Sequence, residues 1–141
     1  MIRIGRVVRA AATLAVVTAV AGACGSSSAD DAADSAGTSE GALRTAAQQW
    51  SQAVAAGDYR AAYQFRSARC RLTLGQDAYV EEMSQRYADR DLGAAEPDIT
   101  VAVTGDTGQV TVRFTDGPAV EGGVETATWK YVDGTWRYDT C

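Results

Sequence analysis

The chain has 141 residues, which is enough for one domain with a single hydrophobic core. It contains no histidine, and this excludes Ser-His and Cys-His catalytic pairs as well as the commonest metal ligand. Its net charge of −5 disfavours binding to nucleic acid or to anionic lipid headgroups, so we expect neither partner.

Residues 1–23 have the composition of a bacterial signal peptide. Arg3, Arg6 and Arg9 give this segment a positive start, and the uncharged run that follows is too short to span a membrane. Its removal leaves ten basic and eighteen acidic residues, a net charge of −8. We therefore expect an exported protein.

The end of this segment, Ala21-Gly22-Ala23-Cys24, resembles a bacterial lipobox, in which the cysteine is lipidated and the chain is cut before it. Ala21 departs from that motif, which usually has leucine there, and it also fits the small-residue rule of ordinary secretion. The resemblance implies acyl chains such as palmitate on Cys24, which hold the protein at the outer face of the cell membrane. Secretion as a soluble protein is the alternative.

Residues 24–39 are expected to form a flexible polar linker. The run after Cys24, GSSSADDAADSAGT, has three aspartates and no large apolar residue. Such a segment cannot bury enough apolar surface to offset the entropy lost on ordering. The folded domain is therefore expected over residues 40–141.

Three helices are predicted in the first half of this domain. The first follows the candidate N-cap Ser39 and ends before Gly57, which favours the left-handed backbone of a helix end. Asp58 then caps a second helix over residues 59–65. Residues 71–75 are expected to be irregular.

The third helix is predicted over residues 76–91. Its inner face is expected to contain Tyr79, Val80, Met83 and Tyr87, which recur at helical spacing. Glu82 and Arg86 are four residues apart on its solvent face, in the order that favours an ion pair.

Four strands are predicted from alternating apolar residues, over residues 99–104, 110–115, 124–131 and 135–139. Asp133-Gly134 is a strong hairpin pattern between the last two. As a two-residue loop it places four aromatic residues on one side of the sheet: Trp129, Tyr131, Trp136 and Tyr138. Lys130 and Arg137 fall on the other side. Large rings dominate burial, so we expect the aromatic side to pack on the helices, against Trp50, Phe65, Val80 and Met83.

The stretch from Trp50 to Phe65, WSQAVAAGDYRAAYQF, together with the order of elements up to Cys141, resembles the nuclear transport factor 2-like superfamily. This superfamily includes ketosteroid isomerases and polyketide cyclases. The resemblance implies an α+β domain, in which three N-terminal helices pack on a curved antiparallel sheet of about four strands. In that family the sheet wraps the helices into a cone whose open end is often a pocket.

The implied cone gives six candidate pocket residues: Tyr63, Tyr79, Tyr87, Glu125, Trp129 and Tyr131. Our first hypothesis is a non-catalytic domain that binds a small apolar ligand there, or an envelope protein on the outer sheet face. The second is a small isomerase, dehydratase or cyclase, with Glu125 as general base and Tyr63 or Tyr79 as oxyanion donor. The third is a scaffold or homodimer with a filled cone.

The three cysteines are Cys24, Cys70 and Cys141, and an odd number in an exported protein leaves one unpaired. If Cys24 carries lipid, we expect a disulfide between Cys70 and Cys141 in an oxidising compartment, with two free thiols as the alternative. No metal or other cofactor is expected, because two cysteines without histidine are a poor ligand set.

Lipidation of Cys24 can be tested by intact mass. Protein extracted from membranes is expected to exceed the polypeptide that starts at Cys24 by at least a diacylglyceryl group, and Cys24→Ala should abolish the added mass. A soluble mature protein that starts at unmodified Cys24 would contradict the prediction.

Overall fold

The computed structural model describes residues 37–116 and 124–141, which form four helices and one four-stranded antiparallel sheet. The helices come first: α1 (Glu40–Ala55), α2 (Tyr59–Tyr63), α3 (Ala68–Thr73) and α4 (Gln76–Arg86). The strands follow in chain order across the sheet: β1 (Asp98–Thr104), β2 (Thr107–Arg113), β3 (Val124–Val132) and β4 (Thr135–Tyr138). The α+β class is as predicted. The expected signal peptide, Cys24 and most of the expected linker lie outside the described residues.

The predicted caps at Ser39, Gly57 and Asp58 are confirmed, whereas the second helix ends at Tyr63 and not at residue 65. Ser39 caps α1, since its Oγ accepts a hydrogen bond from the backbone N–H of Ala42 at 3.2 Å. Gly57 follows α1 with a φ of 71°, and Asp58 caps α2 by accepting from the N–H of Ala61 at 3.0 Å. Each cap satisfies an amide that has no partner within its own helix.

Two further helix predictions are wrong. The expected irregular segment, residues 71–75, begins inside α3, so the described residues contain four helices and not three. Ser67 caps α3 by accepting from the N–H of Cys70 at 3.2 Å, but the helix is short and has no apolar stripe that periodicity could reveal. Helix α4 ends at Arg86 instead of residue 91, because Tyr87 leaves the helical conformation with a φ of −109°; Asp89 then takes a left-handed conformation with a φ of 65°.

The β3–β4 hairpin has the predicted register. Its pairs are Trp129 with Tyr138, Lys130 with Arg137, Tyr131 with Trp136 and Val132 with Thr135. Asp133 and Gly134 form the two-residue loop with φ values of 51° and 78°. Two left-handed residues in succession are what a type I′ turn requires, and this turn matches the twist of the strands it joins.

The aromatic face of the hairpin packs on the helices, as predicted. Trp129 is 1% exposed, and the side chain of Phe65 meets it edge-on with ring centroids 6.3 Å apart. Trp50 of α1 stacks on Tyr138 at 5.6 Å. Val80, which was expected in this contact, is only half-buried.

Helix α1 approaches the sheet closely over Gly108 of β2. A Cβ atom at this position would overlap the side chain of Leu43, which is fully buried. Glycine at position 108 therefore allows the first turns of α1 to lie against the sheet.

The residues just after α2 cover the edge of β4. The N–H of Tyr138 donates to the carbonyl of Phe65 at 2.7 Å, and the N–H of Ser67 donates to the carbonyl of Tyr138 at 2.8 Å. Arg66 thus pairs with Tyr138 as an isolated parallel bridge. Side chains of directly paired residues point to the same face of a sheet, so this bridge turns the side chain of Arg66 inward.

Helix α3 is tied to the last residues of the chain. The structure places Cys70 and Cys141 at disulfide distance, with Cα atoms 5.4 Å apart, and Cys70 is fully buried. Asp139 strengthens the same junction, since it accepts from Ser67 Oγ and forms an ion pair with Arg69 at 3.0 Å. A cross-link with a sequence separation of 71 residues should stabilise the fold by about 4 kcal/mol in the chain-entropy description.

The two faces of β3 should respond differently to truncation. Trp129→Ala is expected to lower the free energy of unfolding by about 3 to 5 kcal/mol, because it removes a fully buried aromatic side chain. Lys130→Ala, the matched control on the outer face, should cost at most about 1 kcal/mol, since its ion pair with Asp106 is exposed. Urea unfolding measures both values. An unchanged stability for Trp129→Ala would show that the aromatic face does not form the core.

Candidate functional site

A cavity of about 380 Å³ lies between α4 and the ends of β3 and β4. The side chains of α4 form one wall, Glu125 and Tyr138 form the opposite wall, and the last two residues of the chain complete it. Its main lining residues are Arg66, Leu74, Tyr79, Met83, Arg86, Glu125 and Tyr138. We call it the Glu125 cavity.

Glu125 faces this cavity because of the period of β3. It shares the inner face of the strand with Ala127 and Trp129, since alternate residues of a strand point to the same side. Its carboxylate accepts a hydrogen bond from Tyr138 Oη at 2.6 Å and another from Tyr87 Oη at 3.0 Å. The two phenols bind different oxygens, so the carboxylate joins the end of α4 to the sheet.

The phenols around Glu125 are neutral at physiological pH. Burial, followed by the negative charge of Glu125, raises the pKa of both Tyr87 and Tyr138 above the ordinary value. Burial also raises the pKa of Tyr79 to about 12, although a hydrogen bond from Trp50 partly offsets it. All three hydroxyl groups therefore keep their protons, and those of Tyr87 and Tyr138 are used in the hydrogen bonds to Glu125.

Two ion pairs hold Arg86 at the rim of the cavity. Its guanidinium lies 2.6 Å from the carboxylate of Glu82, the predicted pair on α4, and 3.9 Å from that of Glu125. The Glu125 side chain is only 16% exposed, whereas Arg86 is about half exposed. The positive charge of Arg86 is thus balanced by carboxylates of the protein.

The structure does not bring all six candidate pocket residues together. Tyr79 and Glu125 line the cavity, and Tyr87 contacts it through the hydrogen bond to Glu125. Tyr63 instead donates to the carbonyl of Leu74 at 3.1 Å, behind the ring of Tyr79. Trp129 is buried in the core, outside the residues that line this cavity.

Tyr131 lies at a different place on the protein. It lines a groove of about 360 Å³ between α1 and the β3–β4 hairpin. Gly37 occupies one end of this groove, close to the Tyr131 ring, and its carbonyl accepts a hydrogen bond from Trp136 Nε1 at 2.9 Å. This groove and the Glu125 cavity have no lining residue in common.

Tyr138 and Arg66 line the cavity but were not among the candidate pocket residues. Tyr138 was predicted on the aromatic face of the sheet, but the sequence did not show that its hydroxyl would reach Glu125. Arg66 was not singled out at all, because charged side chains are usually exposed and this one is 7% exposed. Only the bridge between Arg66 and Tyr138, a pairing across more than seventy residues, turns it inward.

No group of three or more His, Cys, Asp or Glu side chains is placed to hold a metal ion within residues 37–116 and 124–141. In the same ranges, no helix combines the length and the apolar character needed to cross a membrane. Comparison with protein-family models, curated proteins and solved structures finds no match to this chain.

Proposed function

We propose that this protein is a lipid-anchored component of the bacterial cell envelope, and that its domain binds a small molecule in the Glu125 cavity without transforming it. One observation carries the binding part: the cavity of about 380 Å³ is lined by buried aromatic side chains together with charged groups. Binding sites for small molecules typically have about 300 to 1,000 Å³ and this mixed lining. The lipid anchor on Cys24 rests on the sequence alone.

The hydrogen bonds of Glu125 support binding over catalysis. A general base must reach the proton that it removes, but each oxygen of this carboxylate already accepts a hydrogen bond from a phenol. Of the two candidate oxyanion donors, Tyr63 is committed as well, since its hydroxyl donates to a backbone carbonyl. The isomerase, dehydratase or cyclase alternative would need these bonds to rearrange when substrate binds.

We also propose that the domain belongs to the nuclear transport factor 2-like superfamily. A sheet that carries helices on one face and a cavity between them is what a nuclear transport factor 2-like cone implies. On this proposal the Glu125 cavity is the open end of the cone, and its volume favours a binding domain over a scaffold with a filled interior.

The outer face of the sheet remains the alternative binding surface, for an envelope protein or a second copy of the chain. Its exposed side chains are polar and bond to one another across the strands, as Thr111 does with Thr126 and Gln109 with Thr128. These satisfied polar pairs favour contact with water, so we place the ligand in the cavity.

Met83 provides a direct reporter for this proposal, because it lines the cavity and the chain has only two methionines, Met1 and Met83. We suggest an NMR screen of small fragments against the lipid-anchored chain in detergent, with ¹³C-labelled methionine methyl groups. Removal of residues 1–23 leaves Met83 as the single methionine, and fragments that bind in the cavity are expected to shift its signal.

A matched pair of variants completes this test. Leu74 lines the cavity, whereas Leu72 is 90% exposed and does not line it. The same substitution at both positions therefore distinguishes the effect of filling the cavity from a general effect of adding a tryptophan. Leu74→Trp should abolish the Met83 shifts, and Leu72→Trp should retain them. If no fragment shifts Met83, or if Leu74→Trp leaves the shifts unchanged, the proposed site is wrong.

A further inference from the structure

Arg66 is a buried cation on the wall of the Glu125 cavity. Its side chain lies between two aromatic rings, with the guanidinium carbon 5.2 Å from the centre of the Tyr79 ring and 5.9 Å from that of Tyr138. The residue is 7% exposed, and the bridge to Tyr138 fixes its backbone. The two rings and the backbone leave the guanidinium little freedom to turn towards bulk water.

The hydrogen bonds of this guanidinium are incomplete. Nη2 donates to the carbonyl of Cys70 at a long distance of 3.4 Å. The Nε–H is buried and has no acceptor in the described part of the chain. A guanidinium has five N–H donors, and a buried donor without an acceptor is destabilising.

The charge of Arg66 is also unbalanced. Within the described ranges no acidic side chain forms an ion pair with it, although two carboxylates, those of Glu82 and Glu125, line the same cavity. Both of these are already within ion-pair distance of Arg86. A buried charge without a partner is costly, so a ligand that supplies a negative charge here would be favoured.

The rest of the lining restricts the kind of anion. Glu82 and Glu125 would repel a doubly charged group such as a phosphate monoester more strongly than a single charge. Leu74, Met83 and the ring of Tyr79 offer apolar contacts beside the guanidinium. The volume equals that of about a dozen water molecules, which suits a ligand with one charged end and a compact apolar body.

We propose that the Glu125 cavity binds a small organic carboxylate, with its anionic group on the guanidinium of Arg66 and its apolar part against Leu74 and Met83. This inference rests on the proposed function, because it names the ligand class for the same cavity. The planar fork of arginine matches the two oxygens of a carboxylate, which explains why arginine and not lysine is suited to this position.

The test compares three probes of nearly the same shape on the full-length chain: benzoate, benzamide and benzylammonium. The Met83 methyl signal reports binding in this cavity, and so distinguishes it from a smaller cavity of about 220 Å³ on the other side of Arg66 that Met83 does not line. Benzoate is expected to bind at least about tenfold more tightly than benzamide, and benzylammonium should cause no shift.

Variants test whether the guanidinium of Arg66 causes the preference for benzoate. Arg66→Met should abolish the preference for benzoate over benzamide, and Arg66→Lys should retain part of it. Arg137→Met is the control, since Arg137 lies outside the Glu125 cavity and lines the smaller one and the groove beside Tyr131; it should leave the preference unchanged. If Arg66→Met does not fold, Arg66→Lys and the ranking of the three probes on the wild-type chain still decide the question.

The outcomes separate this inference from the proposed function. If benzamide shifts Met83 as strongly as benzoate does, the cavity binds small molecules but the carboxylate proposal is overturned. Equal preference for benzoate in the wild type and in Arg66→Met also overturns it, because another group must then bind the benzoate carboxylate. A failure of all fragments to shift Met83 would instead overturn the proposed function itself.

Discussion

The register of the β3–β4 hairpin determines most of this structure. The Asp133-Gly134 turn pairs Trp129 with Tyr138, and this pairing puts the large rings of both strands on one face. Helix α1 then packs on that face through Trp50, which stacks on Tyr138. A slip of β4 by one residue would turn the side chains of Trp136 and Tyr138 to the solvent face, so the turn and the core depend on each other.

The same hairpin brings polar groups into the interior. Tyr138 carries its hydroxyl to Glu125, and its backbone pairs with Arg66 at the edge of the sheet. A carboxylate held by two phenols is satisfied within the protein, whereas the guanidinium of Arg66 lacks both a carboxylate and an acceptor for Nε in the part of the chain that the structure describes. This difference is the physical reason why the proposed ligand is placed on Arg66 and not on Glu125.

The sequence predicted the local features of the fold and missed those that depend on distant pairing. Ser39, Asp58 and the Asp133-Gly134 turn each act within a few residues, so their patterns could be recognised directly. The helix around Cys70 was missed because six residues without an apolar stripe give no periodic pattern. The burial of Arg66 follows from a backbone bridge to Tyr138, and no local pattern indicates such a contact.

In the candidate site, too, the sequence predicted local features and missed those that depend on distant contacts. Strand periodicity placed Glu125 on the inner face with Trp129, and the helical spacing of α4 placed Tyr79 and Met83 opposite to it. Tyr131 shares that strand face but lies further along β3, next to the hairpin turn. At that position α1 and not α4 covers the sheet. Periodicity therefore gave the face of each residue, but not which helix lies over it.

Crystallography can show directly whether the buried guanidinium of Arg66 holds an anion inside the domain. Crystals of the chain grown with 4-bromobenzoate should give an anomalous bromine peak beside Met83 and Leu74, with the carboxylate within hydrogen-bond distance of the Arg66 guanidinium. Bromine peaks confined to the protein surface, with ordered water on Arg66, would contradict it.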